Sequence, residues 1–69
     1  MKVIEIAITT EEKTIVSRLS KGDQAQEIGK DLGYPQGTFA TKLKEIRAKY
    51  GVNNTVQLVA YFLRNQIIQ

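Results

Sequence analysis

Apolar residues recur along this chain at steps of three and four, and the polar positions between them read as helix caps and turns. Ile15, Val16 and Leu19 form a first stripe and Ile28 with Leu32 a second. Phe39, Leu43, Ile46 and Tyr50 form a third, along one face of a helix. Thr9 and Glu12 have the spacing of a capping box, which predicts a first helix from Thr9 to about Lys21, ended by Gly22. Asp23 with Gln26 opens a second helix that stops at Gly33. Tyr34 and Pro35 make a turn, and a third helix is predicted from about Gln36 to Tyr50, with Gly51 as its terminator. Asn54 with Gln57 caps a fourth helix, from about Thr55 to Ile67. Residues 2–8 (KVIEIAI) are β-branched and partly alternating, which suits either a short strand or an arm packed on the body. The expected fold is all-α, with residues 1–8 as an extended segment and residues 9–69 as one four-helix domain.

Within that order, residues 28 to 46 have the spacing of a helix-turn-helix. Such a unit needs a small residue where its helices pack closely, a glycine four positions later for a turn with positive φ, and an apolar anchor six positions beyond. Gly29, Gly33 and Phe39 meet the three requirements. The second helix of such a unit commonly lies in the DNA major groove, so this stretch is also the best clue to function.

Composition narrows the chemistry. A chain of 69 residues, 42% of them hydrophobic, makes one domain with a single small core, and such cores often gain stability by pairing, so a homodimer is expected. Without cysteine or histidine there is no disulfide, no thiolate or imidazole metal site and no cysteine nucleophile. No catalytic residue, metal site or cofactor is expected, and the chain reads as a non-enzyme. Glu5 interrupts the apolar run of MKVIEIAI, no small-residue cleavage site follows, and no run is long enough to span a bilayer. A cytoplasmic protein is expected. The net charge of +3 is unevenly placed: residues 1–35 carry five Lys or Arg against six Asp or Glu, whereas residues 36–69 carry five against Glu45 alone. Lys42, Lys44, Arg47 and Lys49 cluster on the third helix. They are either a solvated face or phosphate ligands, and their place on the second helix of the motif favours the latter.

The order of helices, glycines and caps resembles the DNA-binding domain of LuxR-type (GerE-like) transcriptional regulators, without a gap from Ile8 to about Leu63. The residues that carry the resemblance are Thr9 and Glu12, Gly22, Glu27-Ile28, Leu32-Gly33, Thr38, Lys49, Gly51-Val52, Asn54 and Val56-Gln57. It implies a four-helix domain whose third helix enters the major groove of double-stranded DNA and whose fourth supplies a two-fold dimer contact. The chain departs from the family at Pro35, in place of a capping serine, and at Gly37, in place of a more polar residue. Further departures are Ala40 and Lys42, where the family often has a lysine and a histidine, so base readout differs.

Residues pointing away from the Phe39, Leu43 and Ile46 stripe are the expected groove face. Gln36, Gly37, Ala40, Thr41 and Lys44 are the candidates for base readout, the alanine and threonine through a thymine methyl group and Lys44 through guanine acceptors or a phosphate. Thr38, at the helix start, and Lys42, Arg47 and Lys49 are the candidates for phosphate contact. Tyr34 either packs in the core or meets the DNA backbone. The fourth helix is apolar over much of its circumference, so Val59, Phe62 and Leu63 are assigned to the core and Leu58, Tyr61 and Asn65 to a symmetry mate. Residues 2–8 are the alternative cover for that surface. A two-fold dimer implies half-sites roughly 10 base pairs apart. The competing reading is a helix-turn-helix-like module that binds protein instead of DNA, docking on RNA polymerase or on another regulator.

Overall fold

The computed structural model describes residues 7–68, which form four helices: α1 (Thr10–Ser20), α2 (Ala25–Asp31), α3 (Thr38–Tyr50) and α4 (Thr55–Arg64). The all-α reading therefore stands for the described residues. Ala7 and Ile8 are exposed and irregular, and the expected strand or arm otherwise falls outside the described residues.

Two caps form as their spacing predicts. Thr9 Oγ1 accepts from the Glu12 amide at 3.0 Å while Glu12 Oε1 accepts from the Thr9 amide at 3.1 Å. Asn54 Oδ1 accepts from the Gln57 amide at 2.8 Å, and Gln57 Oε1 accepts from the Asn53 amide at 2.7 Å. The predicted Asp23 cap does not form. Asp23 instead accepts from Arg18 Nε at 2.8 Å, and Gln24, whose side chain makes no capping bond, precedes α2. The same guanidinium reaches Asp31 at 2.8 Å and so ties the end of α1 to both ends of α2.

Two helix boundaries also differ from expectation. The expected turn at Pro35 forms, but α3 starts at Thr38 instead of about Gln36: the Pro35 carbonyl accepts from the Thr38 amide across a tight turn, in which Gly37 has φ +88°. A positive φ at the third position of a four-residue turn suits glycine, and it postpones the helix to Thr38. At the other end, α4 stops at Arg64 because Gln66 takes φ +58° and the Ile67 amide returns to the Phe62 carbonyl at 2.8 Å. Such a reversal closes a helix and folds the next apolar residues back, and Ile68 is buried.

The core is one cluster drawn from every helix: Ile15 and Val16, Ile28, the α3 stripe of Phe39, Leu43, Ile46 and Tyr50, then Leu58 and Phe62, with Ile68. Tyr50 and Phe62 meet edge-on at 5.1 Å, and Tyr61 leans on both. On α4 the expected face holds at Phe62, which is fully buried, at Val59, which packs on the core, and at Asn65, which is exposed, but not at Leu58 and Leu63. Leu58 is fully buried and unavailable to a partner, and Tyr61 is half-buried, whereas Leu63 is 45% exposed and Val56 78%. The Tyr50–Tyr61–Phe62 contacts fix the rotation of α4.

The α2–α3 approach is the tightest feature of the packing. Gly29 is buried, and a Cβ built on it would lie 2.7 Å from Phe39 Cβ and 2.8 Å from Cγ. Gly29→Ala should therefore force the helices apart and destabilise the fold by about 1–3 kcal/mol, as expected for overpacking. Thermal melting checks this, and an unchanged midpoint would mean that α2 and α3 do not pack at this distance.

Candidate nucleic-acid interface

The apolar stripe of α3 faces the core, and its two flanks meet different neighbours. One flank faces α1, where Glu11 and Glu12 meet Lys42, Lys49 and Tyr50. The other borders an open groove of about 840 Å³ between α2 and α3, lined among others by Lys30, Gln36, Gly37, Ala40 and Arg47. Between the flanks, Thr41, Lys44, Glu45 and Ala48 are exposed.

Of the expected readout residues, Ala40, Thr41 and Lys44 are exposed on α3, whereas Gln36 and Gly37 belong to the turn before it. Gly37 serves a backbone requirement and offers no side chain to a base. Thr38 is the first residue of α3, no side chain caps that end and no acidic residue occupies the first turn. The positive end of the α3 dipole is thus uncovered beside the groove.

The four clustered cations have unequal surroundings. Lys49 Nζ lies 2.9 and 3.1 Å from the two oxygens of Glu12, donates also to the Ala7 carbonyl and sits 5.5 Å from the Tyr50 ring centre. Its charge is thus paired with Glu12, while its side chain remains 33% exposed. Lys42 lies 3.5 Å from Glu11 Oε1. Among the described residues Lys44 and Arg47 make no ion pair, nor does Lys30 of α2 across the groove. Lys30 escaped the sequence reading because it lies outside the basic cluster, and only the folding of α2 against α3 brings it to the same groove as Arg47.

Glu12 is the site's structural anchor and the group whose wider role the sequence hid. It is 4% exposed, yet it accepts from the Thr9 amide, from Lys49 and from the Tyr50 hydroxyl at 2.6 Å. Burial pushes its pKa up, but the bonds from Tyr50, Lys49 and Thr9 outweigh that and hold it below the ordinary 4.5. Burial, and then the contact with Glu12, raise the pKa of Tyr50 far above its usual value, so its hydroxyl remains a donor. Tyr34 is half-buried, edge-on to Phe39 at 5.2 Å, and its hydroxyl donates to Glu11 Oε2 at 2.9 Å. Core packing thus describes its ring, and its polar end is directed at α1.

Because the folded state holds Glu12 ionised, its contribution is complete above the unfolded value and is lost as pH falls through the lowered folded one. Stability should drop below about pH 4.5, and Glu12→Gln should flatten that dependence in urea melts followed by circular dichroism. Glu12→Ala, which removes a cap and leaves the Tyr50 hydroxyl unpaired, should cost about 2–4 kcal/mol. An equal acid response in wild type and Glu12→Gln would place the titrating group elsewhere.

Comparison with known proteins gives no match to a family model, to a curated protein or to a solved structure.

Proposed function

We propose that this chain is a sequence-specific DNA-binding transcriptional regulator of the LuxR (GerE-like) type, a homodimer whose α3 lies in the major groove. The observation that carries the reading is the placement of α3. Its inner face is fixed by the core, Gly29 sets its approach to α2, and Ala40, Thr41 and Lys44 are left exposed beside Arg47 and an uncapped helix start. A rigid helix whose outer face is small and polar, with Glu45 as its one acidic residue, fits a groove of duplex width. Ala40 and Thr41 are short enough to bring the helix close to base edges, Lys44 reads guanine or a phosphate, and Arg47 contacts phosphate. The dimer contact is assigned to the exposed apolar residues of α4, Val56 and Leu63, instead of Leu58. A regulator acting on chromosomal or plasmid DNA belongs in the cytoplasm; no helix among the described residues is long and apolar enough to cross a membrane.

A second reading, a protein-interaction module docking on RNA polymerase or another regulator, is favoured by one observation: Tyr34, Phe39 and Leu43 lie along the groove beside α3, giving it an apolar floor. One titration separates the two. Binding of a labelled random-sequence duplex pool, followed by fluorescence anisotropy, should be micromolar or tighter at low salt and weaken linearly in log salt. Lys44→Glu with Arg47→Glu should abolish most of that affinity while the melting temperature holds. A folded wild-type protein that binds no duplex at low salt would overturn the DNA reading in favour of the second.

A further inference from the structure

We infer that Glu11 and Glu12 sort the basic residues into structural cations and nucleic-acid-binding ones, with Glu11 the internal competitor of phosphate for Lys42; the inference rests on the DNA-binding reading. The two carboxylates are neighbours in the first turn of α1, and both are aimed at the same flank of α3. Their environments differ in the way that matters.

Glu12 has a side-chain exposure of 5%, and Lys49, its partner, is held by a carboxylate, a backbone carbonyl and an aromatic face. Withdrawing Lys49 to bind DNA would leave a buried carboxylate with its positive partner gone, which is strongly unfavourable. Lys49 is therefore structural. The Glu11–Lys42 pair is longer, at 3.5 Å, and more open, with side-chain exposures of 40% and 32%. Open pairs of this kind are weak, so a phosphate can compete for Lys42. Glu11 itself is oriented by the Tyr34 hydroxyl at 2.9 Å, from the turn that leads into α3. Its negative charge thus remains beside Lys42 when DNA approaches and opposes the exchange.

On the outer face of α3 and around the α2–α3 groove, three cations make no ion pair among the described residues: Lys44 on the outer face, and Arg47 and Lys30 on opposite sides of the groove. Glu27 lines the same groove and bounds the positive area on the α2 side. The phosphate-binding set is accordingly Lys30, Lys44 and Arg47. Two of them come from the expected α3 cluster, and one comes from α2.

The salt dependence of duplex binding measures this sorting, since each neutralised phosphate contributes a slope of about 0.9 in log affinity against log salt. With the full chain and a random-sequence duplex pool, Lys44→Gln, Arg47→Gln and Lys30→Gln should each flatten the slope by about that amount. Lys42→Gln should flatten it clearly less than Lys44→Gln does, and Glu11→Gln should tighten binding and steepen the slope. Flattening by Lys42→Gln equal to that by Lys44→Gln, or a Glu11→Gln variant identical to wild type, would overturn the role of Glu11. Brief acetylation of the free protein with mass-spectrometric readout tests the sorting without DNA: Lys44 and Lys30 should react several-fold faster than Lys42 and Lys49. Equal rates for Lys44 and Lys49 would overturn the sorting itself. Failure of wild type to bind any duplex, with the reactivity order intact, would remove the DNA reading and the competitor role while leaving the ion-pair assignment in place.

Discussion

The position of α3 depends on a contact that only glycine permits. At Gly29 the backbone of α2 comes so close to Phe39 that a methyl group would sit inside the ring's own contact distance. The absence of that methyl group lets Phe39 enter the core with Ile28 and Leu43 behind it. It also places the turn containing Pro35 and Gly37 beside the groove, so the exposed face of α3 is defined by the same contact that buries its inner face. Any larger side chain at position 29 would change the surface as well as the stability.

The opposite flank of α3 is held by polar chemistry. Glu12 begins as the reciprocal partner of Thr9 in a helix cap, and the fold then uses its remaining acceptor capacity for Lys49 and the Tyr50 hydroxyl. A carboxylate buried to this degree is tolerated because three donors surround it. One residue therefore starts α1, joins it to the end of α3 and satisfies the hydroxyl of a core tyrosine. Apolar contact on one side and an ionised network on the other leave α3 little freedom to rotate.

How much of this was legible follows from the range over which each signal acts. The Thr9–Glu12 and Asn54–Gln57 caps, the Gly29–Phe39 approach and the Phe39, Leu43, Ile46 and Tyr50 stripe all rest on spacings within a few residues or within one motif, and each is present in the structure. The start of α3 falls at Thr38 instead of about Gln36 because the positive φ of Gly37 extends the turn that begins at Pro35. On α4 the expected face holds at Phe62 and fails at Leu58 and Leu63, because the apolar arc is wide and its aromatic neighbour on α3, Tyr50, fixes which part of it turns inward. The partners of Lys42 and Lys49 lie on α1, more than thirty positions away, so no local pattern separates these two cations from Lys44 and Arg47.

We propose that the outer face of α3 and the rim of the α2–α3 groove are where this domain meets duplex DNA. The most direct measurement is a backbone amide NMR titration of the labelled protein with a short duplex selected for binding. The account predicts shift changes concentrated from Gln36 to Ala48 and at Lys30, with the amides around Glu12 and Tyr50 nearly unmoved. Changes centred on α4, or none at all in a folded protein, would contradict it.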